Sequence, residues 1–214
     1  MMPKLVCREV SADSSLQISF WRTRVILMKD EEPFLLDDPA RLRALAHPMR
    51  RLILRQLNIH GPATSTTIGE LLGAKTGTTS YHLRQLEKYG FIEEIPERSA
   101  GRERWWRRAE TPRDLRAPAP GQLAPEDRPV LEEFHRVGFE EDRALLERFP
   151  EAYRRDPDWA KGSRGLGRMT KEEFAEFFDA YIALLLRYSH RAQDAPPGAR
   201  PMFIRMFALP ADEP

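Results

Sequence analysis

The stretch from Thr76 to Gly90, TGTTSYHLRQLEKYG, constrains this chain more than any other. Thr79, Leu83 and Leu86 recur at helical spacing and Gly90 supplies a C-terminal stop, so the segment predicts an amphipathic helix. At about 100° per residue those three positions fall within roughly 60° of one another, which turns Tyr81, Arg84, Gln85 and Lys88 the other way. That face carries a phenol, an amide and cations in place of the mixed Glu and Lys of a helix kept merely soluble. These are the groups that pair with base edges and phosphates, so the helix is expected to read DNA.

The flanking sequence supplies a scaffold for such a helix. Asp38 before Pro39 predicts an N-cap with proline at the first helical position, and Leu42, Leu45, Ala46, Met49, Ile53 and Leu57 follow at helical spacing. Pro48 interrupts them near His47, giving two helix segments or one bent helix. HGPATSTT, residues 60–67, reads as a loop in which Ser65 or Thr66 caps a short helix through Ile68, Leu71 and Leu72, closed by Gly73. A short turn then leads into the Thr76 helix, as in helix-turn-helix units. Beyond Gly90, FIEEIPE and ERWWRRAE predict two strands around a bend at Gly101, a hairpin or wing.

Several side chains in this constellation are candidate DNA contacts. Thr76 and Thr78 stand near the helix start, where they either hold a phosphate or only cap the helix. Ser80, Tyr81, Arg84, Gln85 and Lys88 belong to the exposed part of the same helix, and His82 sits on the flank of the core stripe, where a packed, hydrogen-bonded histidine competes with a DNA contact. Between Glu97 and Arg108 five arginines oppose two glutamates, a local balance of +3. Arg98, Arg102 and Arg104 are therefore phosphate or minor-groove candidates, against the plainer reading of a charged hairpin that blunts a sheet edge. Trp105 and Trp106 must face opposite sides of their strand.

Composition sharpens this picture. Charged residues make up 31% of the 214, yet the net charge is only +1, so any electrostatic footprint for nucleic acid must be local. A single cysteine, Cys7, excludes an intrachain disulfide, argues against a Cys-based metal site, and fits a reducing, cytoplasmic location. No apolar run approaches the roughly 18 residues of a membrane span. No phosphate loop or nucleophile motif is present. Glu132 and His135 have the Glu-x-x-His spacing of di-iron bundles but lack the second such pair, so a solvated acidic face is the plainer reading. No catalytic residue, metal or cofactor is predicted, and the chain is not expected to be an enzyme.

Proline and glycine clusters divide the chain. Residues 1–36 are expected to be an extension, partly disordered or a gene-model artefact with the native start at Met28, although Leu16, Ile18 and Phe20 alternate like a short strand. Residues 37–110 form the DNA-binding domain, and residues 111–129, with five prolines, a linker outside either core. Residues 130–214 form a helical region. Leu131, Phe134, Phe139, Leu145, Leu146, Phe149 and Tyr153 trace a helix ending before Pro157. Thr170 and Glu173 form a capping-box pair that opens another helix, and MFIRMFALP suggests a terminal strand. On that last helix Phe174, Phe177, Phe178, Tyr181, Leu185 and Tyr188 share a stripe that is either a core or dimer surface or the lining of a pocket for a small apolar effector. The fold class expected is mainly α with a small β wing.

LRALAHPMRRLILRQL, TIGELLGAKTGTTSYHLRQLEKYGFIEE and GRERWWRRAE resemble the ArsR-like winged helix regulators of bacteria, particularly the actinobacterial branch with an added C-terminal helical region. The resemblance covers residues 39–110, and more loosely 174–210. It implies a homodimeric transcriptional regulator whose residues 78–88 enter the major groove of double-stranded DNA while the wing, Arg98 to Arg104, touches the backbone. Two-fold pairing implies a roughly palindromic operator. Metal-sensing members use a cysteine-containing motif in the helix before the recognition helix or ligands on terminal helices; Ile68 to Leu72 has no cysteine. The competing function is a winged-helix adaptor that binds protein and not DNA.

Overall fold

The computed structural model describes residues 34–99, 101, 103–109, 115–190, 192 and 194–211. The expected strand near residues 16–20, Cys7, the start at Met28 and the wing residue Arg102 lie outside the described residues. The elements in order are β1 (Phe34–Leu35), α1 (Pro39–Leu45), α2 (Pro48–His60), β2 (Ala63–Thr64), α3 (Ser65–Leu72), α4 (Thr76–Lys88), β3 (Ile92–Glu94), β4 (Trp105–Arg108), β5 (Leu115–Arg116), α5 (Arg128–Arg155) and α6 (Lys171–Tyr188). The fold is a winged helix-turn-helix domain with a further helical region, as expected. Residues Met169–Ser189, which hold α6, belong to a separate unit from Pro33–Arg168 and His190–Pro214.

Proline starts both scaffold helices. The Asp38 carboxylate accepts the Ala40 N–H at 2.8 Å ahead of α1, and His47 Nδ1 accepts the Met49 N–H at 3.1 Å ahead of α2. Each cap is followed by proline at the first helical position, where its missing N–H costs nothing. Pro48 therefore separates two helices and does not bend one.

The loop expected at residues 60–67 is shorter than that. Ala63–Thr64 pair with Trp106 and Trp105, so β4 is the central strand of a three-stranded antiparallel sheet with β2 and β3 at its edges. Two residues carry no readable periodicity, which is why this strand was not legible. The cap of α3 moves with it: Thr64, not Ser65 or Thr66, accepts the Thr67 N–H at 3.2 Å.

α3 and α4 are joined as tightly as their sequence allows. Gly73 takes a left-handed φ of +62° and the Ala74 N–H returns to the Gly69 carbonyl at 2.8 Å. A Cβ at Gly69 would lie 2.8 Å from the Ala74 carbonyl oxygen, so only glycine fits there. The buried Thr79 hydroxyl donates to the Ser65 carbonyl at 2.8 Å, with the Thr76 carbonyl at 2.9 Å as its alternative acceptor. Below this joint Leu42, Ile53, Ile68, Leu83, Leu86, Phe91 and Trp106 form one core.

The described part of the expected linker, residues 115–129, does not stay outside that core. β5 pairs in parallel with β1, Pro118 and Leu123 are buried, and Leu123 joins the core cluster. Pro120 and Pro125 each begin a 3-10 turn and Pro129 stands in the first turn of α5, so three of the prolines act as helix starters.

α5 packs on α1 and α2. Leu131 is buried, Phe134 packs on the core, and Arg51 forms an ion pair with Glu141 at 2.7 Å while lying over the Phe134 ring. The face bearing Phe139, Leu146 and Tyr153 stays exposed. The expected terminal strand is absent among the described residues. A strand needs an edge to pair with; here the tail runs beside α5 instead, with Arg200 on Asp156 at 3.0 Å, Arg205 on Asp142 at 2.6 Å and Phe203 under Arg55. α6 opens with the full capping box, Glu173 N–H to the Thr170 hydroxyl at 3.2 Å and Thr170 N–H to the Glu173 carboxylate at 2.8 Å.

Candidate nucleic-acid interface

α4 buries Thr79, His82, Leu83 and Leu86 and turns its remaining surface outward. Lys75 is the N-cap and makes no side-chain cap bond, so neither Thr76 nor Thr78 spends its hydroxyl on capping. Both are exposed at the helix start, beside Gly77, whose missing side chain would meet nothing within 4 Å. Tyr81 is 56% exposed, Arg84 and Lys88 are exposed, and Gln85 and Ser80 are half-buried. Arg84 Nε donates to the Ser80 carbonyl at 3.2 Å, which lays its guanidinium along the helix toward the wing.

His82 is placed differently. It is buried, its ring 4.5 Å from that of His47 and edge-on to Tyr81 at 5.2 Å, and its Nδ1 finds no hydrogen-bond partner among the described residues. Burial chiefly, and then the neighbouring His47 and Arg50, hold its pKa below the ordinary histidine value. The packed ring lies edge-on to Tyr81 on the buried flank of α4.

The wing is less cationic than its own residues suggest. Glu93 and Glu94 stand across the ladder from the arginines: Arg107 bonds Glu93 at 2.7 Å and Arg104 lies 3.4 Å from Glu94. From residue 93 to 108 five arginines meet four glutamates, so most of the expected +3 is cancelled by the strand partner. Arg108 donates to the Phe91 carbonyl at 3.1 Å, and Arg98 lies over the Trp105 ring at 5.1 Å. The Ser99 hydroxyl accepts the Trp105 N–H at 3.2 Å and donates to the Ile95 carbonyl at 3.0 Å, which shapes the wing turn. Trp106 is buried and Trp105 half-buried, on opposite faces as the pleat requires.

Between α4 and the wing lies a concavity of about 220 Å³ lined by Ser65, Ser80, Arg84, Arg104 and Trp106. It brings together three of the expected contact residues, Ser80, Arg84 and Arg104. Tyr81, Gln85 and Lys88 are elsewhere on α4. The sequence marks Ser65 only as a helix cap; its place in this cleft follows from β2, which sets the start of α3 against β4.

Other expected sites are simply described. On α6, Phe174, Phe177 and Tyr188 are exposed, and Phe178, Tyr181 and Leu185 half-buried. Glu132 and His135 are exposed, His135 stacking on Phe139, and among the described residues no group of three or more His, Cys, Asp or Glu is arranged to hold a metal ion. No helix among the described residues is long and apolar enough to cross a membrane.

The helix-turn-helix domain family model matches residues 45–95, from the end of α1 to just past β3. No curated protein matches the chain. Among solved structures, the homodimeric winged helix-turn-helix DNA-binding domain of Mb0332 from Mycobacterium bovis is 22% identical, with 64% of this chain and 94% of that one covered and a TM-score of 0.29. The PcaV transcriptional regulator from Streptomyces coelicolor is 14% identical, with 86% and 99% covered and a TM-score of 0.30. Rv1404 from Mycobacterium tuberculosis is 16% identical, with 87% and 100% covered and a TM-score of 0.26. The matched domain and the geometry of α1 to β4 together make this region a winged helix-turn-helix domain.

Proposed function

We propose that this winged helix-turn-helix chain is a sequence-specific DNA-binding transcriptional regulator that acts as a homodimer on a roughly palindromic operator. One observation carries the reading: α4 is locked to its scaffold on one side by Thr79, Leu83 and Leu86, and presents Tyr81, Arg84, Gln85 and Lys88 on the other. A rigid helix with a polar, cationic outer face fits the major groove. Thr76 and Thr78, with their hydroxyls unspent on capping, are suited to backbone contact, and Arg98, Arg102 and Arg104 are the wing contacts. His82, packed against His47 on the flank of the helix, is the remaining candidate contact.

The dimeric part of the reading is supported by Phe139, Leu146 and Tyr153, which repeat every seven residues along the exposed side of α5 as a self-pairing helix requires. The α6 stripe, Phe174, Phe177, Phe178, Tyr181, Leu185 and Tyr188, is the second candidate surface, for a partner subunit or a small apolar effector.

A gel shift on DNA upstream of its own gene, across a salt series, tests the reading. Binding is expected to weaken steeply with salt and to be reduced by Tyr81→Ala and Arg84→Ala. Absence of binding at any salt sinks it. The alternative, a protein-binding adaptor, draws support from Glu93 and Glu94, which neutralise the wing where a DNA-binding hairpin has use for its charge. Size-exclusion chromatography with light scattering, repeated for Leu146→Glu, separates dimer from monomer.

A further inference from the structure

The cleft of Ser65, Ser80, Arg84, Arg104 and Trp106 has a feature that neither the helix nor the wing has alone. Two arginines line it, Arg84 from α4 and Arg104 from the residue just before β4, together with buried Trp106. Each arginine is held by only one of its nitrogens among the described residues, Arg84 through Nε to the Ser80 carbonyl and Arg104 through Nη1 to Glu94. That leaves other N–H groups of both side chains for an anion in the concavity. Two cations converging on one small space repel each other unless an anion stands between them. Ser65 adds a hydroxyl from a third element, and the half-buried Ser80 completes the wall.

We propose that this cleft seats a single phosphodiester of the DNA backbone, clamped between Arg84 and Arg104 with Ser65 as a further donor. The proposal rests on the DNA-binding reading and adds to it a specific contact. The clamp fixes the wing and the recognition helix to the same point on one strand, so it sets the register in which Tyr81 and Gln85 meet base edges. It also explains why Arg104 is tied to Glu94 only loosely, at 3.4 Å, while Arg107 is tied to Glu93 at 2.7 Å. Arg104 can turn to a phosphate; Arg107 is already committed. Discrimination among bases comes from α4, whereas the clamp contributes affinity that every sequence receives.

The test uses the full chain and the tightest-binding duplex selected from a random-sequence pool, read by fluorescence anisotropy. Arg84→Gln and Arg104→Gln are each expected to weaken binding by about tenfold, the worth of one charge-assisted hydrogen bond. Each is expected to lower the slope of log K against log salt by up to about 1. Because both hold one phosphate, their losses should not multiply in the double variant, and one methylphosphonate position in the duplex should make both substitutions silent. Thermal melts that match the wild type show that the variants fold. Losses that multiply, or no single neutralised phosphate that silences both, overturn the clamp while leaving the DNA reading intact. Wild-type protein that binds no duplex removes both. Competition by inorganic phosphate beyond that of chloride at matched ionic strength would assign the cleft to a free anion and also overturn the clamp.

Discussion

The imidazole rings of His47 and His82 lie 4.5 Å apart and are tilted by 50°, one capping α2 and the other buried in α4. His47 can cap only while Nδ1 carries no proton. Arg50 lies beside both rings, and Tyr81 and Tyr89 face Arg50. Burial, then Arg50, lowers the His47 pKa below 6.5; burial, then His47 and Arg50, lowers that of His82. Both folded-state values are depressed, so the folded protein binds fewer protons than the unfolded chain. The stability involved is complete above the ordinary value near 6.5 and is lost as pH falls through the lower folded values. The urea midpoint should therefore drop between pH 7 and 5, and His82→Phe should flatten that drop. A wild-type midpoint that is level over this range contradicts the argument.

Thr79→Val keeps the shape of the side chain and removes its hydroxyl. The Ser65 carbonyl then loses its donor from α4 and keeps the one within α3, at an expected cost of about 0.5–1.5 kcal/mol in equilibrium unfolding. A change within experimental error means that the bond holds α3 to α4 no better than packing does.

Gly69→Ala should cost more than its chemistry suggests. The new methyl meets the Ala74 carbonyl at 2.8 Å, and overpacking of this kind destabilises by about 1–3 kcal/mol. Denaturant melts of the two forms decide it.

Gly77→Ala should act in opposite senses on two properties. A methyl there meets nothing in the protein, so helix propensity predicts a gain of up to about 1 kcal/mol. Gly77 stands in the first turn of α4 between the exposed Thr76 and Thr78, where the proposed interface would meet a bare backbone. Tighter folding together with weaker DNA binding is the expected pair of results; unchanged binding assigns Gly77 no part in the interface.

Glu94→Gln should release Arg104 and tighten DNA binding, most visibly at low salt, where surface charge is least screened. Weaker binding by this variant means that Glu94 orients Arg104 and does not merely occupy it.

The helical scaffold was legible because its signals are local. Asp38 and Pro39, Pro48, Gly73, and the Thr79, Leu83, Leu86 stripe each declare a cap, a break or a buried face within a few residues. What escaped was set by distant partners. Ala63–Thr64 become a strand only because Trp105 and Trp106 lie alongside, and that pairing moves the α3 cap to Thr64. The partners of the wing arginines are hidden for the same reason, since Glu93 and Glu94 are remote in sequence from Arg107 and Arg104 yet adjacent across the ladder. Prolines in residues 111–129 suggested an open spacer, but Leu123 found the core.

The pairing of β2 with β4 has a mechanical meaning. Thr64 is at once the last residue of that edge strand and the cap of α3, and the α3 backbone receives the Thr79 hydroxyl of α4. The wing sheet, α3 and α4 are therefore joined in series through Thr64 and Thr79.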